Sequence, residues 1–493
     1  MGLIISIVVI ILTTKWLIKG HSPKVVLFFN GFFMLWISSW LGLYDKAFLS
    51  SDYSYLGAYF MMMFDLTVAV FKDTIAELGL IIMCTSAYAK YMEYIGASAI
   101  LVDRLSKPLL KFNQPYIVLA GTWALGMFMG LCFVSAVGLS ILLMVTMYPL
   151  LLRLGVNRTA AASVIASTLC LDWSPADISS IMSGEIVGLD PIIFWLHYKL
   201  PITIVVILVL TPLIYYLEHK RSLTEPEQTD CQEDERSADE KQKNVPPYYA
   251  IFPMLPLILL FIFNEAVISW IKVTLLSAVF ISFYIVVILQ LVNGFSAKDV
   301  ISGTENFFDA MGTQVSSVII PIVAGQVFAK GLLTTGAIDT IIEMFKQGGM
   351  GALPMMLMIT VMIVFCSILM GSSNAPFFAF VGLAPILAEA TGASAIYYLL
   401  LMNFASSIGR TLSPISSVMI ATGEMAKISP FALIKRMLIP LNCSLVIVFL
   451  VTFAMYKIDF FPNDTLNTKS QQQTDYNNMF PQSMRNSAKI KTK

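Results

Sequence analysis

Residues 174–201 read SPADISSIMSGEIVGLDPIIFWLHYKLP, and residues 413–440 read SPISSVMIATGEMAKISPFALIKRMLIP. The two segments align without a gap, because Ser413 lies 239 positions after Ser174 and the same separation holds to the end of both. A long repeat at a fixed separation is the signature of a duplicated structural unit. The coinciding pairs are Ser174/Ser413, Pro175/Pro414, Gly184/Gly423, Glu185/Glu424, Pro191/Pro430 and Pro201/Pro440.

A second match lies upstream of the first. Ala89-Lys90 is followed by Gly96-Ala97, and the same two dipeptides recur at Ala329-Lys330 and Gly336-Ala337, 240 positions later. The chain is therefore predicted to hold two related halves. We expect lead-in transmembrane spans at 1–56, a first repeat at 57–217, a charged cytoplasmic linker at 218–246, connecting spans at 247–298, a second repeat at 299–456 and a polar disordered tail at 457–493.

The composition places both halves in a membrane. Of the 493 residues, 57% are hydrophobic and only 13% are charged, and the mean hydropathy is +0.78. A bilayer crossing takes about 20 apolar residues, and several uncharged runs of that length separate the charged positions. These features predict an all-α polytopic membrane protein with roughly 10–12 spans.

The same composition argues against other function classes. A net charge of zero gives nucleic acid no basic surface to bind. The three histidines are far apart and the six cysteines lack CxxC spacing, so no metal site, cofactor or hydrolytic triad is predicted. A membrane-embedded enzyme would need such groups, and we therefore predict that the protein is not an enzyme.

Two pairs of uncharged runs have lengths that a simple helix does not explain. The runs 112–152 and 347–388 are 41 and 42 residues long, enough for two crossings or for one crossing plus a re-entrant hairpin. The runs 159–171 and 411–423 are 13 residues each, too short to span as unbroken helices. Broken helices and hairpins at matched positions of two halves indicate a secondary transporter with its site between the repeats.

The residues at the predicted hairpin tips and helix breaks resemble a known family. GSSNAPFFAF at 371–380, GRTLSPISSV at 409–418 and MAKISPF at 425–431 are similar to signature segments of the DcuC-type anaerobic four-carbon dicarboxylate carriers, within the ion transporter superfamily. The first-half tip SAVG at 135–138 resembles the family's SSATG-like tip. The break DWSPAD at 172–177 departs from the PTSGD-like stretch of the family, which concerns substrate identity rather than fold.

The resemblance implies two inverted structural repeats with re-entrant hairpins and broken helices, and a substrate such as fumarate, succinate, malate or aspartate. Transport would proceed by exchange, by proton-coupled uptake or by succinate efflux. A carrier of another organic or inorganic anion with the same architecture is the alternative. The candidate substrate-binding residues are Ser135, Ala136, Gly138, Ser174, Pro175, Ser372, Ser373, Asn374, Ala375, Pro376, Gly409, Arg410, Thr411, Ser413 and Pro414.

Ionisable residues near the breaks are the remaining candidates, because a charge within the membrane is costly and commonly functional. Arg410 either binds a substrate carboxylate or pairs with Glu389 or Glu424 to hold the helices together. The candidate ion-coupling residues are Asp172, Asp177, Glu185 and Glu424, although the last two would also suit helix ends. The expected partners are a small dicarboxylate, protons or sodium as the coupling ion, the lipid bilayer and a second copy of the chain in a homodimer.

Overall fold

The computed structural model describes residues 2–19, 21–41, 56–112, 114–133, 135–224, 246–263, 273–335 and 351–458. Most of the predicted linker and the predicted tail after position 458 lie outside these ranges. Every regular element within the described ranges is helical. Among the described residues, seven helical stretches are long and apolar enough to cross a membrane, and they are 136–153, 191–222, 275–292, 297–332, 352–370, 374–391 and 430–458.

The described residues of the first part of the chain form fourteen α-helices. The lead-in helices are α1 (Gly2–Ile18) and α2 (Pro23–Trp40), and two helices connect the halves near 247–298. The bounds are α3 Leu56–Asp73, α4 Leu80–Tyr94, α5 Ala97–Ser106, α6 Pro115–Met129, α7 Ala136–Thr146, α8 Tyr148–Arg153, α9 Arg158–Ala166, α10 Ile178–Val187, α11 Pro191–Phe194, α12 Leu200–Ser222, α13 Leu255–Ile262 and α14 Leu275–Val292.

The second part repeats the order of the first. Helix α15 (Ala297–Gln314) continues into α16 (Ile320–Thr334), as α3 continues into α4. A π-helical turn joins each pair, at Thr74–Gly79 and at Val315–Ile319, and the two turns pack against each other. The remaining helices are α17 Ala352–Met370, α18 Asn374–Phe380, α19 Ala384–Thr391, α20 Ala395–Thr411, α21 Ser417–Ala426 and α22 Pro430–Ile458.

Hairpins occupy the two long uncharged runs. In the first, α6 ends at Met129 and α7 begins at Ala136 after a short turn. In the second, α17 ends at Met370 and α18 begins at Asn374. The 15 residues of α6 extend about 22 Å at 1.5 Å per residue, less than the hydrocarbon thickness of about 30 Å. Helix α6 is therefore shorter than a full crossing, as a re-entrant hairpin requires.

Broken helices occupy the two short runs. Residues 167–177 separate α9 from α10, and residues 412–416 separate α20 from α21. The ends of α10 and α21 also match, because Leu189 N donates to Gly184 O at 2.9 Å and Ile428 N donates to Gly423 O at 2.8 Å. The 239-residue separation seen in the sequence thus recurs as matched backbone hydrogen bonds.

Helix α20 is the centre of the packed interior. All of its residues except Arg410 are buried, and it packs against α17, α22 and α19. At the periphery, large apolar side chains such as Leu208 and Phe431 are exposed, as suits contact with lipid. The break that precedes α21 is therefore held at the end of the most buried helix in the described chain.

The predicted boundary between the first repeat and the linker falls inside a helix. Helix α12 continues to Ser222, and Glu218 is buried with 2% exposure. Its carboxylate is 2.7 Å from Arg221 Nη1 and 2.7 Å from Arg436 Nη2 of α22. The sequence places Glu218 at the start of the charged linker, whereas two guanidinium groups bury it between the last helices of the two repeats.

Candidate functional site

Each helix break is hydrogen-bonded to the hairpin of its own half. Ser174 Oγ donates to the carbonyl of Leu131 in the first hairpin at 3.0 Å. Ser413 Oγ, which is related to Ser174 by the repeat, donates to the carbonyl of Ile368 near the second hairpin tip at 2.6 Å. The two serines satisfy carbonyl groups that a helix end leaves without an intrahelical partner. Their matched sequence positions thus have matched structural roles.

The first hairpin tip is capped by its own serine. Ser135 Oγ accepts a hydrogen bond from Gly138 N at 3.1 Å, which stabilises the start of α7. A Cβ at Gly138 would lie 2.7 Å from Glu93 Oε1, so the glycine leaves room for the Glu93 carboxylate beside this helix start. Glu93 is also paired with Lys90, whose Nζ lies 3.1 Å from Glu93 Oε2.

The second hairpin tip turns at Gly371, which has a φ of +64° that favours glycine. Ser372 Oγ accepts from Ala375 N at 3.4 Å, and Ser373 is buried. Asn374 is half-buried as the first residue of α18. The tip thus presents two serines and an asparagine next to the break after α20.

Arg410 connects the second hairpin to the break of the first half. Its Nη1 lies 3.2 Å from Asp172 Oδ2 and its Nη2 lies 3.1 Å from Asp172 Oδ1, so both carboxylate oxygens are engaged. Nη2 also donates to the carbonyl of Leu169 at 2.6 Å, and Nη1 donates to Ser373 Oγ at 3.1 Å. Ser407 Oγ donates to Asp172 Oδ2 at 3.0 Å.

The structure corrects the expected ion partner of Arg410. The predicted partners were Glu389 and Glu424, both near it in the sequence, whereas the partner is Asp172 of the other half. The exposed fractions of the Arg410 and Asp172 side chains are 14% and 15%, so the pair is largely shielded from solvent. A planar guanidinium that meets a carboxylate through two nitrogens is a strong and geometrically specific interaction.

A second ionic cluster lies beside this pair and was not predicted. Lys199, at the end of a π-helical turn before α12, donates to the carbonyl of Asp172 at 2.5 Å and to Ser180 Oγ at 2.6 Å. Its Nζ is 3.8 Å from Asp177 Oδ2. Asp177 accepts a hydrogen bond from Ser179, which in turn accepts one from Asn403 of α20.

One feature of the sequence could have identified Lys199 as a candidate site residue. It stands immediately before an uncharged run, and this position is also typical of a lysine at the membrane surface. Pro201, two residues later, belongs to the repeated motif, and a lysine so close to that motif could have been counted among the break residues. The position related to Lys199 in the second half is Leu438, so the cation belongs to one half only.

The other candidate residues divide between the site and its scaffold. Thr411 bonds within its own helix, donating to Ser407 O at 2.9 Å. A Cβ at Gly409 would lie 2.6 Å from the Cβ of Ser367, so this glycine allows α20 to pack closely against α17. Four further candidates are buried or partly buried near the tips and breaks, and they are Ala136, Pro175, Ala375 and Pro376, while Pro414 lies in the second break.

Glu185 and Glu424 lie at the far ends of α10 and α21. Both side chains are exposed. Glu185 follows Asp177 by eight positions, about 12 Å along a helix axis, so this carboxylate is one helix length from the break. Among the described residues, no group of three or more His, Cys, Asp or Glu side chains could hold a metal ion.

Comparison with known proteins identifies the family of this chain. Residues 1–457 match the family described as the C4-dicarboxylate anaerobic carrier, DcuC. The chain belongs to this family. It is 32% identical over 457 residues to the probable anaerobic C4-dicarboxylate transporter DcuC of Vibrio cholerae, a match that covers 92% of this chain and 97% of the relative. It is 33% identical over 458 residues to DcuC of Escherichia coli K12, covering 92% and 96%.

Solved structures share the fold of this DcuC-family chain. MtrF of Neisseria gonorrhoeae, described among antimetabolite efflux pumps, superposes with a TM-score of 0.61 at 13% identity, covering 90% of this chain and 97% of MtrF. The YdaH transporter of Alcanivorax borkumensis gives a TM-score of 0.60 at 13% identity, covering 89% and 99%. At such identities the likeness concerns the fold alone.

The family and the fold together confirm several predictions. The chain is an all-α polytopic membrane protein with two inverted repeats, re-entrant hairpins and broken helices. It is a transporter of the dicarboxylate class in the inner membrane, and it is not an enzyme. The site residues, the domain boundaries, the coupling ion and the homodimer stay predictions.

Proposed function

We propose that this protein is a secondary active transporter of four-carbon dicarboxylates, in which Arg410 binds one carboxylate of the substrate. Fumarate, succinate, malate and aspartate are the proposed substrates. The observation that carries the proposal is the two-nitrogen pairing of Arg410 with the Asp172 carboxylate, at the junction of the first break and the second hairpin. In this arrangement, Asp172 occupies the position that a substrate carboxylate would take.

The need for such a site follows from the cost of moving a dianion through lipid. The idealised cost of transferring one carboxylate into a low-dielectric medium is on the order of 20 kcal/mol. Donors within the membrane must offset that cost. Arg410 supplies a charged fork, and Ser373 and Ser407 supply hydroxyl groups that contact the Arg410–Asp172 pair. Asn374 at the second tip supplies an amide that can donate or accept.

Competition between Asp172 and the substrate offers a means of coupling. Arg410 is released when Asp172 takes a proton, because a neutral carboxyl group holds a guanidinium less strongly than a carboxylate does. The released guanidinium then binds the substrate. Asp177, which shares the break with Asp172, is a second group able to take a proton. These two aspartates carry the ion-coupling proposal better than Glu185 and Glu424, whose side chains are exposed at distant helix ends.

The membrane potential determines which direction of dicarboxylate transport needs an exchanged anion or a co-transported cation. A dianion experiences about 4.6 kcal/mol per 100 mV, from about 2.3 kcal/mol per charge. An inside-negative potential therefore favours succinate efflux, whereas uptake requires exchange for another dicarboxylate or co-transported cations. The proposal includes exchange, proton-coupled uptake and efflux as modes of one site.

Counterflow in proteoliposomes tests the proposed substrate class. Vesicles loaded with unlabelled succinate should accumulate labelled succinate, and external fumarate, malate and aspartate should compete. Butyrate, which has the same carbon chain length but a single carboxylate, is the matched control and should not compete. Equal competition by butyrate, or counterflow driven by an inorganic anion, would contradict a site built for two carboxylates.

A further inference from the structure

Lys199 is the least exposed cation near the site, with a side-chain exposure of 0%. Three oxygen atoms of different kinds surround its ammonium group. They are the backbone carbonyl of Asp172 at 2.5 Å, the hydroxyl of Ser180 at 2.6 Å and the carboxylate of Asp177 at 3.8 Å. The ring of Phe404 lies on a further side, with its centroid 5.4 Å from Nζ.

This arrangement has the composition of a cation site. Carbonyl, hydroxyl and carboxylate oxygens are the ligands that hard cations select. The Asp172 carbonyl is available because residues 167–177 are not helical and the carbonyl is not used within a helix. A lysine ammonium is a compact point charge, and it can therefore satisfy such oxygens much as a small monovalent ion does.

We propose that the Lys199 ammonium is the resident cation of a monovalent-cation site in the first helix break. Because the cation is covalently tethered, substrate transport does not require Na⁺ at this position. The inference deepens the proposed dicarboxylate transport and rests on it, since it concerns the coupling ion of the same site. It also predicts that removal of the ammonium exposes a site that a free cation can enter.

The substitution Lys199→Ala creates that vacancy. It removes the ammonium and most of the side-chain stem, and leaves the Asp172 carbonyl, Ser180 hydroxyl and Asp177 carboxylate around a polar cavity. Lys199→Met is the matched control, because it also removes the charge but fills the space of the stem. Lys435→Ala on α22 removes an exposed lysine and controls for the loss of a positive charge alone.

The experiment compares NaCl, methylammonium chloride and choline chloride at equal ionic strength, using purified protein for Tm and proteoliposomes for succinate counterflow. Wild type and Lys435→Ala should show the same Tm and the same counterflow in all three salts. Lys199→Ala in choline should lose at least about tenfold in counterflow, equivalent to 1.4 kcal/mol. Its Tm and its counterflow should rise with the concentration of Na⁺ or methylammonium, because a ligand that binds only the folded state stabilises it. Lys199→Met should not respond.

Several results would overturn the inference. They are a Na⁺ requirement of wild-type counterflow, a Lys199→Ala protein whose Tm is the same in all three salts, or an equal response of Lys199→Met. A Na⁺ requirement of the wild type would refute the inference even if Lys199→Ala fails to accumulate in the membrane. Cation-dependent Tm of Lys199→Ala without succinate counterflow in any variant would refute the proposed substrate while supporting the cation site.

Discussion

The Arg410–Asp172 pair allows stability and transport to be separated in one set of variants. Arg410→Gln leaves the Asp172 carboxylate shielded from solvent without its cation, and Asp172→Asn leaves the guanidinium without its anion. Breaking a buried ion pair from one side typically costs about 3–5 kcal/mol, because the remaining charge is uncompensated. We therefore expect both single variants to unfold at lower temperature than wild type.

Succinate transport should depend on the presence of the Arg410 guanidinium rather than on the thermal stability of the protein. Arg410 donates four hydrogen bonds, two to Asp172, one to Leu169 and one to Ser373. In Arg410→Lys the charge is retained but the planar fork is lost. Each charge-assisted bond that is not replaced costs about 1.5–3 kcal/mol, so the apparent affinity for succinate should fall by tenfold or more, since about 1.4 kcal/mol is a factor of ten.

The assay is a double-mutant cycle read out by Tm and by succinate counterflow. Arg410→Gln combined with Asp172→Asn removes both charges, and the double variant should regain much of the stability lost in either single variant. Counterflow should remain low, because the group that binds the substrate carboxylate is absent. If the double variant regains wild-type counterflow together with stability, Arg410 is a structural counter-ion and its assignment to substrate binding is wrong.

Three further predictions concern the scaffold around the site. Glu218→Ala should lower the free energy of unfolding by about 3–5 kcal/mol, because the Arg436 guanidinium loses its buried partner, and an unchanged Tm would contradict the ion pair as a connection between the repeats. Lys427 has a φ of +56°, and a left-handed backbone conformation costs a non-glycine residue about 1–2 kcal/mol. Lys427→Gly should therefore raise Tm. A fall in Tm would show that the lysine side chain stabilises the protein by more than this strain costs. Ser174→Ala and Ser413→Ala should each cost about 1 kcal/mol and should both slow succinate counterflow, whereas an effect of only one of them would contradict equivalent breaks.

The elements that the sequence predicted well are those that depend on local pattern and on repetition. The uncharged runs of 41 and 42 residues allow either two crossings or one crossing plus a re-entrant hairpin, and the structure has hairpins there, whereas the runs of 13 residues predict the two breaks. Both follow from the requirement that membrane-embedded backbone must satisfy its hydrogen bonds within the protein. The repeated Ser-Pro pairs at 174–175 and 413–414 then located each break to within a few residues.

The pairing of charges could not be predicted in the same way. The sequence suggests partners at helical spacing or nearby in the chain, and this reasoning led to Glu389 and Glu424 for Arg410. The actual partner Asp172 lies 238 residues away, because the break of one half packs against the hairpin of the other. The ion pair of Glu218 could not be predicted for a related reason, since its partner Arg436 is 218 residues away. Contacts between the halves depend on their relative placement, which local spacing does not encode.

The charges of the site also bear on how an empty carrier could reorient. Asp172 and Asp177 carry two negative charges, and Arg410 and Lys199 carry two positive charges, so the four groups sum to zero when all are ionised. A neutral cluster can change its exposure across the membrane without moving net charge against the potential. In the proposed cycle, protonation of both aspartates leaves two positive charges that balance a bound dianion. The loaded site is then neutral as well, so the proposed two-proton cycle would carry a four-carbon dicarboxylate without net charge movement.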